Sequence, residues 1–256
     1  MKILRYDADG GADYGVLDGR AVHELLGSPF GNFEIGSLIG DLSSVRLLAP
    51  VVPDKIICVG LNYVSHIEEM GFPKPERPML FMKPRTTLTN PGDPVVYPRQ
   101  GTHVEYEGEL VPVIGKPARR VAEEDALDYV LGYTCGNDMT ERQLQHAELV
   151  NRSMLISKGF DTFCPLGPVI ETDIDPTNVD LTTRLNGEVK QQSNTSDLLF
   201  SVAQLVSYIS QAVTLEPGDV IMTGTPSGVA PVSPGDVVEV EMSGIGVLRT
   251  PIVAED

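Results

Sequence analysis

Three glutamates alternate along the run from His103 to Gly115, at positions 105, 107 and 109. In a β-strand successive side chains point to opposite faces, so Glu105, Glu107 and Glu109 share one face. Like charges on one strand face repel one another unless water or a divalent ion neutralises them. The run therefore predicts a strand whose acidic face is a site for a hard cation.

The charge balance excludes two classes of partner. The chain carries 36 acidic residues against 19 lysines and arginines, which leaves a net charge of −17. Nucleic acids and anionic membranes bind basic surfaces, and so acidic a chain cannot readily make one. We therefore expect neither nucleic acid nor a membrane as a partner.

The cysteines and the N-terminus indicate the compartment. The 3 cysteines lack the close CxxC spacing of a zinc ribbon, and their odd number argues against a disulfide framework. The first residues lack the apolar stretch of a signal peptide, and no apolar run approaches the ~20 residues of a membrane span. We expect a soluble protein of the reducing cytoplasm.

Short strand patterns, separated by glycine, proline and aspartate turns, dominate the sequence. The expected fold class is mixed, β-rich α+β, with a small β-rich N-terminal domain at residues 1–52 and a larger, strand-dominated domain at residues 53–256. The strands predicted for the larger domain cover residues 55–60, 79–83, 104–114, 129–134, 219–223 and 236–242.

One helix and one hairpin have clear local signals. Apolar residues recur at helical spacing from Ser196 to Thr214, and Thr195 or Ser196 is a candidate N-cap. Asn186-Gly187 supplies two residues that tolerate positive φ between two strand patterns, which predicts a tight β-hairpin.

A further carboxylate extends the candidate cation site. Asp138 follows the apolar run from Tyr129 to Thr134, where the end of a strand would place its side chain at the mouth of a cleft. Two strand glutamates and a distant aspartate form an all-oxygen ligand set, which suits Mg²⁺, Mn²⁺ or Ca²⁺ and suits Zn²⁺ or copper poorly. The alternative is a solvated acidic face without an ion.

His66 and Glu69 form a candidate general-base pair. Residues three apart on a helical turn are neighbours, so Glu69 can orient and polarise the His66 imidazole. This is how a general base is built, although the same spacing also occurs in surface histidines.

Several other polar residues are candidates for contacts with an anionic substrate. Lys83 and Lys158 are cations beside apolar residues, and both could instead be surface lysines. Arg142 and Gln145, three apart after Asp138, would project to one side of a helix. Thr225 lies in a glycine-containing loop that could offer backbone N–H groups and hydroxyls to a carboxylate, or be a simple turn.

Taken together and in order along the chain, six motifs resemble the fumarylacetoacetate hydrolase family. They cover residues 55–252 and are Gly60-Leu-Asn-Tyr-x-x-His66-x-x-Glu69, Leu80-Phe-Met-Lys83-Pro, Glu107-x-Glu109-Leu, Gly132-Tyr-Thr-x-x-Asn137-Asp138, Lys158-x-Phe-Asp161-x-Phe-x-Pro-Leu-Gly-Pro168 and Gly224-Thr225-Pro-Ser-Gly-Val. The resemblance implies a catalytic domain of rolled, mixed β-sheets, a smaller N-terminal domain, a Mg²⁺ or Mn²⁺ site and a homodimer.

The resemblance also assigns roles by position. It implies that Glu107, Glu109 and Asp138 are the metal ligands, with Glu105 as a neighbour. His66 and Glu69 match the catalytic dyad of the family, and Lys158 matches its active-site lysine. Arg142, Gln145 and Thr225 match substrate contacts, and Lys83 lies in a shared motif. Met154 stands where a tryptophan often precedes the lysine, which leaves the substrate open.

What the resemblance implies about chemistry is a small 2-oxo or 1,3-dicarbonyl acid whose enolate is stabilised by the ion. We expect hydrolysis of an acylpyruvate-like or fumarylacetoacetate-like substrate, or decarboxylation of an oxaloacetate-like one, because His66 and Glu69 are both present. The alternative is an isomerase or tautomerase of the 5-carboxymethyl-2-hydroxymuconate or 2-hydroxyhepta-2,4-diene-1,7-dioate type. A metal-binding homologue without turnover is a third possibility.

Overall fold

The computed structural model describes residues 1–8 and 10–256, and these residues form a fold dominated by β-strands. The strands are β1 Lys2–Ala8, β2 Gly11–Asp18, β3 Ala21–Gly27, β4 Phe33–Asp41, β5 Leu47–Leu48, β6 Ile56–Gly60, β7 Met79–Lys83, β8 Leu88–Thr89, β9 Val95–Tyr97, β10 Val104–Glu105, β11 Gly108–Ile114, β12 Val130–Asn137, β13 Thr140–Glu141, β14 Cys164–Glu171, β15 Asp180–Leu185, β16 Glu188–Asn194, β17 Val220–Met222, β18 Val237–Met242 and β19 Gly246–Ala254. The α-helices are α1 Val64–Met70, α2 Arg142–Leu149, α3 Leu155–Gly159 and α4 Val202–Ser210.

The strands form three sheets. The largest has 12 strands, ordered β4-β3-β2-β1-β14-β12-β11-β17-β6-β7, with β5 beside β1 and β8 beside β14. A five-stranded sheet has the order β16-β15-β18-β19-β9, and β10 pairs with β13 alone. Most neighbours are antiparallel, whereas β17 with β6, β14 with β8 and β19 with β9 are parallel. The predicted mixed, β-rich α+β fold class is confirmed.

Burial along the strands follows their sequence patterns. In β18 every second residue is buried. Val238, Val240 and Met242 face the core, whereas Val237, Glu239 and Glu241 on the other face are only partly buried. In β11, which lies between β12 and β17, every residue is buried. A strand buried on both faces normally carries no charge, so the glutamate within β11 has to be part of a built polar site.

The N-terminal strands continue the large sheet. β1 pairs with β14 through Lys2 with Glu171 and Ile3 with Ile170, and β2 to β4 follow it as a meander. The boundary predicted at residue 52 stays a prediction. Among the described residues, no helix is both long and apolar enough to cross a membrane. The cysteines, at positions 58, 135 and 164, are all buried and free.

The predicted hairpin is confirmed, and the predicted helix is shorter than expected. Leu185 pairs with Glu188, and Asn186 and Gly187 have φ of 53° and 83°. Helix α4 begins after Ser201, not at residue 195 or 196, because Ser201 and Gln204 form a capping box. The preceding residues bond elsewhere: Leu199 N–H donates to the Asn62 carbonyl and Phe200 N–H to the Asn62 side chain.

The acidic run is extended but is not one strand. β10 ends at Glu105 and pairs with β13, whereas β11 begins at Gly108 and pairs with β12. The buried Tyr106 lies between them and donates its hydroxyl hydrogen to the Gly228 carbonyl, 2.9 Å away. The chain therefore passes from one sheet to another inside the run of alternating glutamates, and this crossing separates Glu105 from Glu109.

Candidate active site

Glu107, Glu109 and Asp138 lie together at the end of the β11–β12 pair. Gly108 pairs with Asn137, and Asp138 N–H donates to the Glu107 carbonyl at 2.9 Å, so the backbone itself sets the carboxylates side by side. One oxygen of each carboxylate lies within 4.8 Å of the others, and all three side chains are buried. The structure therefore brings together the three residues predicted as metal ligands.

Two buried lysines neutralise part of this charge. Lys158 Nζ lies 2.8 Å from Glu107 Oε2 and 2.7 Å from Asp138 Oδ2. Lys83 Nζ donates to Asp138 Oδ1 and, at 3.0 Å, to the Met139 carbonyl. Each lysine places an ammonium group against a carboxylate that has been removed from water, which is the condition under which buried charges are tolerated.

The ion pairs decide which of these groups stay charged. Burial alone would raise the pKa of Glu107, but Lys158 and Arg142 hold it well below its usual range. Burial would likewise lower the pKa of Lys158, whereas Asp138 and Glu107 raise it above its usual range. Lys158 is therefore a fixed cation that can donate hydrogen bonds but cannot accept a proton near neutral pH.

Glu109 differs from its neighbours because it lacks a cationic partner among the residues that the structure describes. Its carboxylate accepts one hydrogen bond, from Gly224 N–H at 2.7 Å. Burial raises its pKa well above the usual range, and the nearby Asp138 and Glu107 raise it further. A cluster of buried carboxylates with one member unneutralised fits a divalent cation, which would supply the missing charge.

Arg142 links the acidic run to the cavity above it. As the first residue of α2, it contacts Glu105 Oε2 through Nε at 2.7 Å and Glu107 Oε1 through a terminal nitrogen at 2.8 Å. Its other terminal nitrogen donates to Gln145 Oε1 at 2.6 Å. Glu105 also lies 2.8 Å from His103 Nε2. Glu105, the first glutamate of the run, thus holds an arginine, a role that sequence spacing did not reveal.

His66 and Glu69 lie on one side of α1, as their spacing predicts. His66 Nδ1 is 3.0 Å from Glu69 Oε2, and Glu69 Oε1 accepts the Gly228 N–H, also at 3.0 Å. His66 is buried, with 6% of its surface exposed. Both oxygens of Glu69 are therefore engaged, and Nε2 is the ring nitrogen of His66 that has no hydrogen-bond partner among the described residues.

The start of α1 is anchored by residues that the sequence patterns did not single out. Asp197 Oδ2 accepts from Ser65 N–H at 3.1 Å and from its hydroxyl at 2.7 Å. Asn62 Nδ2 donates to the carbonyls of Thr223, at 2.8 Å, and Phe200, at 3.0 Å. Asn62 is the asparagine of the Gly60-Leu-Asn-Tyr motif. Its position shortly before His66 was the signal in the sequence that could have identified it as part of the site.

The loop after β17 uses its polar groups within the protein. Thr225 donates its hydroxyl hydrogen to the Gly108 carbonyl at 2.9 Å and accepts from Gln191 Nε2 at 2.8 Å. Gly224 N–H is committed to Glu109. This loop was expected to offer N–H groups to a carboxylate, and the carboxylate that it binds is Glu109 of the protein itself. The contact of Thr225 with a substrate stays a prediction.

A cavity of about 400 Å³ opens above the carboxylates. Seven of the predicted site residues line it: His66, Glu107, Asp138, Arg142, Gln145, Lys158 and Thr225. Lys83, predicted as a substrate contact, is 2% exposed and lies against Asp138 rather than along the cavity. Its position makes Lys83 a support for the Asp138 carboxylate.

Two family profiles cover most of the chain. The profile described as Fumarylacetoacetate (FAA) hydrolase C-terminal matches residues 55–253. A second profile, described as Rv2993c-like, N-terminal, matches residues 1–50.

Similar proteins carry the names of three different activities. Oxaloacetate tautomerase fahd2, mitochondrial, of Xenopus laevis is 42% identical over 222 residues, which are 82% of this chain and 69% of that protein. The structure of 2-hydroxyhepta-2,4-diene-1,7-dioate isomerase from Mycobacterium marinum has a TM-score of 0.91 and 38% identity, covering 100% of this chain and 99% of that one. Maleylpyruvate hydrolase from Sphingobium sp. SYK-6, in complex with manganese (II) and pyruvate, has a TM-score of 0.81 and 30% identity, covering 100% of both chains.

Proposed function

The chain belongs to the fumarylacetoacetate hydrolase family, and from this premise we propose that it is a divalent-metal-dependent enzyme that cleaves a C–C bond of a small 2-oxo or 1,3-dicarbonyl acid. The reaction is hydrolysis of an acylpyruvate-like or fumarylacetoacetate-like substrate, or decarboxylation of an oxaloacetate-like one. The observation that carries the proposal is that His66 lines the same cavity as the Glu107 and Asp138 carboxylates. A candidate base and a candidate cation site then face the same substrate.

The proposed metal ligands are Glu107, Glu109 and Asp138, and the proposed ion is Mg²⁺ or Mn²⁺, with Ca²⁺ as a further candidate for oxygen ligands. When bound, such an ion supplies positive charge to the carboxylate and keto oxygens of a 2-oxo acid. The manganese in the maleylpyruvate hydrolase structure supports this class of ion.

His66 is the proposed general base. With Nδ1 beside Glu69, its Nε2 takes a proton from water, whose oxygen then bonds to the distal carbonyl carbon of the substrate. The C–C bond breaks, its electron pair stays with the carbon next to the keto group, and that carbon takes up a proton. Lys158 and Arg142 are cations that line the cavity, where they stabilise the developing negative charge.

Isomerisation or tautomerisation is the second candidate. It is favoured by the relatives named as an oxaloacetate tautomerase and as a 2-hydroxyhepta-2,4-diene-1,7-dioate isomerase. In this reaction His66 would carry a proton from one substrate atom to another, and no bond between carbons would break. Both candidates use the same base and the same carboxylates.

The decisive experiment follows an acylpyruvate, oxaloacetate and a hydroxymuconate analogue side by side by NMR, with Mg²⁺ or Mn²⁺. Formation of pyruvate from the first or second substrate, faster than with the metal ion alone, supports C–C cleavage, whereas proton redistribution alone supports the second candidate. Glu107→Ala should abolish turnover in either case. Metal binding without turnover of any 2-oxo acid would reject the enzyme and favour a binding protein.

The homodimer implied by the family resemblance remains part of the proposal. β7 is an edge strand of the large sheet, and it exposes Leu80 and Met82 at 37% and 49% of their surfaces. An edge strand with exposed apolar side chains is suited to pairing with a second chain. Sedimentation velocity of the protein and of Met82→Glu would test this surface.

A further inference from the structure

The cavity above the carboxylates has a charged floor and an apolar wall. The floor carries the ionic groups Glu107, Asp138, Arg142 and Lys158. Six large apolar side chains make the wall: Met70, Phe72, Met79, Phe81, Leu149 and Met154. We name these six the apolar wall. They come from four different segments of the chain, so the wall is a feature of the tertiary structure.

The cationic side chains are confined to the floor. Lys158 and Arg142 line the cavity, and both are already paired with Glu107. Among the described residues, no other lysine or arginine lines the cavity. Apart from His66, the remaining ionisable base there is His146, whose side chain is exposed to solvent. A ligand with a second carboxylate, at the end remote from its 2-oxo acid, would therefore find no lysine or arginine at the wall to pair with it.

Strand alternation and a facing glycine place Met79 and Phe81 of β7 in the apolar wall. In β7, Met79 and Phe81 face the cavity, while Leu80 and Met82 point outward, as strand alternation requires. Met79 pairs with Gly60, and a Cβ on that glycine would collide with Met79 Cε. The glycine therefore makes the space in which Met79 lies.

Two contacts mark where the floor meets the wall. Lys158 Nζ lies 5.3 Å from the centre of the Phe81 ring, within the range of a cation–π interaction. Met154 Sδ lies 3.6 Å from Gln145 Nε2, next to the Arg142 side chain. Apolar side chains of the wall therefore lie directly beside Lys158 and Gln145, which are expected to contact the 2-oxo acid end of the substrate.

We propose that the end of the substrate remote from its 2-oxo acid head is uncharged and apolar, an alkyl or aryl acyl group. The inference rests on the proposed function, and it selects the acylpyruvate-like substrate over oxaloacetate-like or dioate substrates. A carboxylate moved against the apolar wall would lose water without gaining a partner, whereas a hydrocarbon gains from the same burial. Methionine at three of the six positions lets the wall adapt to acyl groups of different shape.

Calorimetry with two ligands of equal size tests the inference without turnover. 2-Oxoglutarate ends in a carboxylate, and 5-methyl-2-oxohexanoate ends in an isopropyl group with the same number of non-hydrogen atoms. Both are titrated into the Mn²⁺-loaded protein at pH 8, where an ordinary histidine is mostly neutral. We expect the isopropyl ligand to bind at least about tenfold more tightly. In a series of straight-chain 2-oxo acids, affinity should rise about three- to fourfold per methylene until the wall is covered.

A pair of variants separates the wall from a general effect of charge. Met154→Arg places a cation at the wall, and it should narrow or reverse the preference between the two ligands by at least about tenfold. Leu155→Arg is the matched control, because Leu155 is the next residue, is 57% exposed and does not line the cavity. The control should leave the preference unchanged within about twofold.

The outcomes for the wall and for the proposed function differ. Equal or tighter binding of 2-oxoglutarate by the unmodified protein would overturn the inference, as would an equal effect of Met154→Arg and Leu155→Arg. The proposed function is judged separately with 5-methylhexanoate, which lacks the oxo group. If it binds as well as 5-methyl-2-oxohexanoate, or if neither 2-oxo acid binds, the 2-oxo acid function fails and the inference fails with it.

Discussion

The His66 Nδ1 lies 3.0 Å from Glu69 Oε2, and Glu69 also joins α1 to the loop after β17. The other Glu69 oxygen accepts the Gly228 N–H at 3.0 Å. Glu69 therefore cannot turn without losing a bond on each side. The carboxylate holds the imidazole in one orientation, with Nε2 as the nitrogen available to a substrate in the cavity.

Replacement of the base should separate chemistry from metal binding. His66→Ala should reduce kcat by about 10²–10⁴, the usual contribution of a positioned general base. The Mn²⁺ affinity measured by calorimetry should stay nearly unchanged, because His66 is not among the three carboxylates. An equal loss of metal binding would reject the role of His66 as a base.

Glu69→Gln tests the orienting role of this carboxylate. A glutamine oxygen can still accept the Gly228 N–H, but the amide lacks the charge that stabilises an imidazolium, so kcat should fall about 10- to 100-fold. Glu68→Gln is the matched control, since this neighbour on α1 is exposed. Similar kcat values for the two variants would contradict the assignment.

Glu109→Gln should stabilise the metal-free protein and weaken metal binding. The folded-state pKa of Glu109 is raised above its ordinary value of 4.5, so the native state holds the proton more tightly than the unfolded state. Stability contributed by this group therefore falls as pH rises from 4.5 through the folded pKa. At pH 7.5 the variant should gain about 2–4 °C in Tm without metal, and this gain should disappear at low pH.

The same variant provides its own control through the metal. Addition of Mn²⁺ should raise the Tm of the unmodified protein substantially more than that of Glu109→Gln. A variant that is less stable without metal, or that responds fully to Mn²⁺, would show that Glu109 is not the unneutralised ligand.

Lys158→Ala should leave two buried carboxylates, Glu107 and Asp138, with less compensation. Breaking a buried ion pair on one side costs about 3–5 kcal/mol, so denaturant unfolding of the metal-free variant should show a loss of this size. A divalent ion should restore part of the loss, giving a larger Mn²⁺-dependent increase in Tm than in the unmodified protein. Activity should nevertheless stay low, and normal kcat with metal would reject a catalytic role for Lys158.

Glu105→Gln tests the link to Arg142. The amide oxygen can still accept a hydrogen bond, but it no longer supplies the charge that holds the guanidinium 2.7 Å away. We expect KM for a 2-oxo acid to rise about tenfold, with kcat changed by less than about threefold, because the change acts through the position of Arg142. A fall in kcat alone would place Glu105 in the chemistry instead.

Much of the site was predictable because its parts are local. The pairing of His66 with Glu69 follows from the spacing of a helical turn, and the proximity of Glu107 and Glu109 follows from their spacing of two residues along an extended backbone. The hairpin at Asn186-Gly187 likewise follows from two residues that accept positive φ. The partners of these groups were not predictable, because they depend on contacts between distant segments.

The sequence by itself determined the strand-rich fold class, the acidic run and the helical pair, since each depends on backbone geometry over a few residues. Only the tertiary structure decided that Lys83 supports Asp138 and that Glu105 holds Arg142. It also assembled the apolar wall and left Glu109 without a cationic partner among the described residues. Such contacts join residues far apart in the chain, and their formation depends on how the sheets pack rather than on local spacing.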